Sequence, residues 1–86
     1  MGWRVEWREK ALKDLERLDR KTRERILCAT ERLAETGYGD VRELEGRNPP
    51  EWRLRVGDWR VLFTFVPDQQ TILFLRVRSR GSAYKE

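Results

Sequence analysis

The stretch Glu51-Trp-Arg-Leu-Arg-Val-Gly-Asp-Trp-Arg-Val-Leu-Phe-Thr-Phe65 contains two runs in which apolar and polar residues alternate, joined at Gly57-Asp58. A Gly-Asp pair between such runs predicts a β-hairpin, because one or both turn positions need a positive φ. A two-residue loop places Val56 opposite Trp59. Alternation then puts six side chains on the core face of the hairpin: Trp52, Leu54, Val56, Trp59, Val61 and Phe63.

The other face of the predicted hairpin carries arginines. Arg55 lies directly across from Arg60, with Arg53 one step along the strand. Like charges opposed across two strands are unfavourable by roughly 0.2–1 kcal/mol, so this arrangement needs a compensating interaction. A bound polyanion would supply it, and the alternative is a solvated, arginine-rich sheet face.

Length and composition predict one folded domain spanning residues 1–86 with a highly charged surface. The net charge of +4 favours an anionic partner. Among the 19 basic residues, 15 are Arg and 4 are Lys. Arginine pairs bidentately with phosphate and stacks on bases, although nucleotide bias in the genome could also produce this ratio. Such a bias does not explain where the arginines cluster.

Several classes of site are excluded by missing residues. The chain has no His, no carboxylate cluster at metal spacing and no Gly-rich phosphate loop, so we expect no metal and no cofactor. The one cysteine, Cys28, cannot form an internal disulfide and is predicted to be a packing residue in a helix. Without a membrane-length apolar run or a signal peptide, the protein is expected to be cytoplasmic.

The order of the predicted elements is strand, helix, helix and then three consecutive strands. The first strand covers residues 3–8, and a helix begins at Glu9 with an apolar stripe formed by Ala11, Leu12, Leu15 and Leu18. A second helix, with Asp19 as its predicted cap, ends at Gly37. Residues 41–44 are short enough to be an extended lead-in, and residues 46–50 form a loop.

The last predicted strand covers residues 71–78, with Leu73, Leu75 and Val77 on one face and Arg76, Arg78 and Arg80 on the other. The fold class is therefore α+β, with a small antiparallel sheet and a two-helix hairpin packed on one face (βααβββ). The face left open carries the arginines.

The arginines of the three predicted strands, together with Tyr84, suit a phosphodiester ligand. RNA supplies its own nucleophile, because an aligned 2′-hydroxyl can attack the neighbouring phosphorus when the developing charge is stabilised. The candidate set comprises Arg53, Arg55, Arg60, Arg76, Arg78, Arg80 and Tyr84.

From Trp3 to Lys85 the chain resembles the RelE/ParE superfamily of toxins of bacterial and archaeal toxin-antitoxin systems. The resemblance lies in the opening strand followed by Ala11-Leu-Lys-Asp-Leu15, in Leu44-Glu-Gly46, in Trp52-Arg-Leu-Arg-Val-Gly-Asp-Trp-Arg-Val-Leu62 and in Arg76-Val-Arg-Ser-Arg-Gly-Ser-Ala-Tyr84. It implies a small toxin that enters the ribosomal A site, cleaves mRNA without a metal and is neutralised by a RelB-like antitoxin.

The functional residues of the RelE branch match Arg53, Arg55, Arg60, Arg80 and Tyr84. ParE-type members, which act on DNA gyrase, generally lack this full set, so the resemblance favours the nuclease branch. Arg76, Arg78 and Lys85 are expected to be general RNA contacts. In familiar RelE members the positions of Arg53 and Arg55 are lysines, and arginine cannot readily act as a base. We therefore expect catalysis by alignment and charge stabilisation, with a gyrase inhibitor or an inactive binding protein as alternatives.

Overall fold

The computed structural model describes residues 2–79, in which two helices pack on one face of a five-stranded sheet. The elements are β1 (Arg4–Trp7), α1 (Glu9–Glu16), α2 (Arg20–Thr36), β2 (Asp40–Leu44), β3 (Glu51–Val56), β4 (Trp59–Val66) and β5 (Thr71–Ser79). The strand order is β1-β5-β4-β3-β2. The predicted α+β class is confirmed, and no helix within residues 2–79 has the length and apolar composition needed to cross a bilayer.

The sheet differs from the prediction in two details. β1 pairs with β5 in the parallel direction, since the helix pair carries the chain across the sheet before the later strands form. Residues 40–44 form a strand that pairs with β3, so four strands rather than three follow the helices. The local pattern of β2 is weak, and pairing with β3 decides its conformation.

The core lies between the helices and the sheet. Its buried side chains are Leu15, Ile26, Leu33, Ala34, Leu54, Val61, Phe63, Ile72, Phe74 and Val77. On α1 the buried positions are Ala11 and Leu15, whereas Leu12 is 46% exposed at the edge of the predicted stripe. The prediction that Cys28 is a packing residue is wrong, because its position on α2 turns the thiol to solvent. As predicted, α2 ends at Gly37, which has a φ of +76°.

A β-bulge in β5 changes which of its residues enter the core. Leu62 pairs with Arg76 while Phe63 pairs with Phe74, so Leu75 is an extra residue between two paired positions. Before the bulge, Ile72 and Phe74 therefore enter the core in place of the predicted Leu73 and Leu75. After it, Val77 is buried as predicted and Arg76 and Arg78 lie on the opposite face.

Candidate functional site

The β3–β4 hairpin has the predicted register. Val56 pairs with Trp59, and Arg55 pairs with Arg60. Gly57 has a φ of +60°, and a positive φ at the first turn position matches a type II′ turn, whose twist suits the flanking strands. The turn therefore determines which side chains meet on the face away from the helices, which we call the open face.

Three arginines lie side by side across β3, β4 and β5. Arg60 pairs with Arg55 on one side and with Arg78 on the other. Neighbouring strands are about 4.8 Å apart, so three guanidinium groups on adjacent strands can reach one anion. We call Arg55, Arg60 and Arg78 the arginine row.

A second line of residues crosses the open face two positions further along β3. Arg53 pairs with Arg42 on β2 and with Leu62 on β4, and Leu62 pairs with Arg76 on β5. Leu62 is only 5% exposed and does not belong to the core cluster. Because long arginine side chains can cover apolar surface with their methylene groups, Arg53 and Arg76 are placed to shield it.

The side chain of Arg53 is 14% exposed and close to other charges. Its Nη1 donates to the carbonyl oxygen of Asp40 at 3.4 Å and lies 3.8 Å from Asp40 Oδ1. Burial lowers the pKa of Arg53, the Asp40 carboxylate opposes this, and the positive charges of Arg60, Arg42 and Arg55 lower it further. An anion bound here would relieve this mutual repulsion.

Arg76 is held by an acidic residue of α1. Its Nε donates to Asp14 Oδ2 at 2.9 Å and its Nη2 to Asp14 Oδ1 at 3.3 Å. The backbone N–H of Val77 also donates to Asp14 Oδ2, at 2.9 Å. This bidentate arrangement fixes both the guanidinium and the edge of β5.

The basic surface continues from Arg76 onto α1. A shallow concavity of about 280 Å³ is lined by Lys10, Lys13 and Arg17 together with Asp14 and Arg76. The helix thus extends the positive surface beyond the sheet.

The comparisons with known proteins place this arrangement in a family. Residues 5–84 match the family described as the ParE toxin of type II toxin-antitoxin system, parDE. The chain belongs to this toxin family. The prediction of the RelE/ParE superfamily is therefore confirmed, and the protein is a toxin of a toxin-antitoxin system. No curated protein matches the toxin.

Solved structures share the toxin's fold. The archaeal RelE-RelB complex from Pyrococcus horikoshii OT3 matches with a TM-score of 0.78 and 28% identity, over 95% of the toxin and 99% of that chain. The RelB-RelE antitoxin-toxin complex from Methanococcus jannaschii matches with a TM-score of 0.75 and 26% identity, over 94% and 96%. The toxin-antitoxin complex RelBE2 from Mycobacterium tuberculosis matches with a TM-score of 0.79 and 22% identity, over 93% and 100%.

The structure brings together five of the toxin's sequence-predicted site residues: Arg53, Arg55, Arg60, Arg76 and Arg78. Arg80, Tyr84 and Lys85 lie outside the described residues. Sequence reasoning missed Arg42, although the alternation in Val41-Arg-Glu-Leu44 was a signal for it. It also missed the ion pair of Arg76 with Asp14, which no local pattern indicates.

The toxin's Asp14 gives its stability a defined pH dependence. Burial raises the pKa of Asp14, but the hydrogen bonds from Arg76 and Val77 and the charges of Arg76 and Arg78 outweigh it, so the pKa is lowered. A carboxyl whose pKa is lowered by folding stabilises the protein above its unfolded pKa of about 3.9, and this contribution is lost as the pH falls through the folded value.

We therefore expect Asp14→Asn to flatten the acid dependence of the free energy of unfolding below about pH 4. Urea unfolding at several pH values measures it. Glu9→Gln, which changes an exposed carboxylate of the same helix, is the matched control and should leave the dependence unchanged. Equal acid dependence in Asp14→Asn and the unaltered toxin would contradict this assignment.

Proposed function

We propose that the toxin is an endoribonuclease that cleaves mRNA in the ribosomal A site without a metal ion, and so inhibits translation. The observation that carries this proposal is the arginine row, in which three guanidinium groups on adjacent strands can contact one phosphate. Charge stabilisation at a preorganised site is often the largest contribution to catalysis, and the nucleophile can come from the RNA itself.

In the proposed reaction the 2′-oxygen forms a bond to the adjacent phosphorus while the bond from phosphorus to the 5′-oxygen of the next nucleotide breaks. The products are a 2′,3′-cyclic phosphate and a 5′-hydroxyl. Arg60 and Arg80 hold the phosphate, and Arg53 and Arg55 lower the effective pKa of the 2′-hydroxyl, whose proton passes to water. Tyr84 stacks on a base or protonates near the leaving oxygen.

The remaining basic residues of the proposed site bind the RNA chain outside the reacting phosphate. They are Arg76, Arg78 and Lys85. Because Arg76 is already paired with Asp14, its contribution to RNA binding is expected to be smaller than that of Arg78. A cation that is paired within the protein has less charge to offer a phosphate.

We further propose that a RelB-like antitoxin and the ribosome with its mRNA are the partners, and that the toxin acts in the cytoplasm as one domain. The structures from P. horikoshii and M. jannaschii are complexes of RelE with RelB, which supports an antitoxin here. An acidic or amphipathic antitoxin segment could cover the open face and block RNA at the same time.

A second candidate function is inhibition of DNA gyrase. It is favoured by the description of the matching family as a ParE toxin. A gyrase inhibitor would trap gyrase on DNA and leave ribosome-bound mRNA intact. The arginine row has no evident use in that activity, so the nuclease is the preferred proposal.

Primer extension on mRNA from translating ribosomes, with and without the toxin, tests the proposal. New 5′ ends at fixed positions within A-site codons are expected. Intact mRNA together with gyrase trapped on DNA would overturn the proposal in favour of the second candidate. Intact mRNA, no effect on gyrase and no growth arrest would indicate an inactive binding protein.

The opposed pair Arg55 and Arg60 predicts a trade-off between stability and RNA binding. Arg55→Gln removes one of two facing positive charges, so we expect the free energy of unfolding to rise by about 0.2–1 kcal/mol. The same change should weaken binding to single-stranded RNA and reduce the dependence of log Kd on log salt by about one phosphate contact. Urea unfolding and binding titrations at several salt concentrations measure the two effects, and unchanged RNA affinity would remove Arg55 from the site.

A further inference from the structure

A second cavity opens on the open face beyond the second line of residues. It has a volume of about 410 Å³, within the range of small-molecule sites. Glu51, Thr64 and Leu75 contribute from β3, β4 and β5, Pro49 comes from the loop before β3, and Arg8 and Lys10 come from the start of α1. We call this cavity the base groove.

The base groove is continuous with the arginine surface. Arg76 lines it and also pairs in register with Leu62, next to Arg53. On β3, Glu51 is two residues from Arg53 and four from Arg55, which corresponds to separations of roughly 7 and 13 Å along the strand. A nucleotide next to a phosphate held by the arginine row can therefore reach the groove.

The groove combines apolar surface with polar groups that are already fixed. Leu75 is the extra residue of the bulge, and with Pro49 it supplies apolar surface against which a flat ring can pack. Thr64 Oγ1 donates to the carbonyl oxygen of Pro50 at 2.8 Å, which ties the loop to β4. These contacts preorganise the groove before a ligand enters.

Glu51 is the group that decides which part of an RNA fits. Its side chain is 25% exposed, and Oε1 accepts a hydrogen bond from Arg47 Nη1 at 3.1 Å. Among residues 2–79, Arg47 is the one donor to this carboxylate, so Oε2 can accept from a ligand. A carboxylate repels phosphate, whereas it accepts hydrogen bonds from the amino and imino groups of a base.

Guanine is the base that matches this carboxylate best. Its Watson–Crick edge presents two adjacent donors, N1–H and the N2 amino group, whereas each other base has an acceptor beside its donor. Recognition of unstacked bases through their Watson–Crick edges is the usual way in which proteins bind single-stranded RNA specifically.

We propose that the base groove is a nucleobase site in which Glu51 selects guanine, adjacent to the phosphate that the arginine row holds. This inference rests on the proposed function, because it assumes that RNA is the polyanion on the open face. Arg8 and Lys10, at the rim, are placed to contact the phosphate of the bound nucleotide.

The test is binding of guanosine 3′,5′-bisphosphate and its adenosine, cytidine and uridine counterparts to the purified full chain, followed by amide NMR. The guanosine ligand should bind about tenfold more tightly than the others and shift the signals of residues 49–51, 64 and 75. In Glu51→Gln the preference should fall below about threefold, whereas Arg47→Met, which keeps the carboxylate, should retain it. The mapping on the unaltered chain decides the matter if Glu51→Gln does not fold.

Equal affinity for all four nucleotides, or an unchanged preference in Glu51→Gln, would overturn the inference. Groove signals that respond to a dilysine peptide and to no nucleotide would assign the site to a protein partner, and would overturn it as well. Cleavage of mRNA without guanine selection in the groove would refute this inference alone. Guanine binding by a protein that leaves ribosomal mRNA intact would instead refute the proposed function.

Discussion

Replacing Arg60 with alanine is expected to reduce mRNA cleavage on translating ribosomes by on the order of 100-fold. Arg60 is the central member of the arginine row, with Arg55 on one side and Arg78 on the other. Its guanidinium is therefore the group best placed to stabilise the charge that develops on the phosphate. Primer extension over a time course measures the rate.

Two comparisons separate this loss from unfolding. The free energy of unfolding of Arg60→Ala should change by less than about 1 kcal/mol, because the substitution removes one of three neighbouring like charges. Arg20→Ala is the matched control, since Arg20 is an exposed arginine at the start of α2, paired with Glu24 and remote from the open face. Cleavage within threefold of the unaltered toxin would show that Arg60 is not a transition-state contact.

Replacing Phe63 with alanine is expected to lower the free energy of unfolding by about 3–5 kcal/mol. Phe63 is fully buried, with its ring centroid 5.5 Å from that of Phe65 and 5.7 Å from that of Phe74. The substitution removes these contacts and leaves a cavity at the centre of the sheet. For a chain of this length the total is roughly 4–13 kcal/mol, so most of the stability is at risk.

Urea unfolding measures this effect, with Leu12→Ala as the control. Leu12 is an exposed residue of α1, and its truncation should change the free energy of unfolding by no more than about 0.5 kcal/mol. A loss below about 1.5 kcal/mol in Phe63→Ala would mean that the neighbouring rings collapse into the space and that the core is less rigid than its packing indicates.

The hairpin that carries Arg55 and Arg60 was predictable from the sequence because two local signals agree. The alternation assigns each side chain to a face, and the Gly57-Asp58 turn sets the pairing. Together they determine the register, and so they place two members of the arginine row opposite each other before any tertiary contact is considered.

The features that escaped prediction depend on contacts distant in sequence. β2 becomes a strand through its pairing with β3, and this brings Arg42 beside Arg53. The bulge at Leu75 depends on the pairing of β5 with β4, so alternation alone misassigns Leu73. Asp14 and Arg76 are 62 residues apart, and neither local pattern indicates that the two side chains meet.

The bulge in β5 also has a consequence for how this strand tolerates changes in length. Phe74 lies on the core side and Arg76 on the open side, which is the relation that directly successive residues of a regular strand would have. A deletion of Leu75 would therefore leave the inward and outward sides of both halves of β5 as they are. The arginine-bearing half can thus gain or lose this one residue without reversing its orientation, and only the apolar floor of the base groove would disappear.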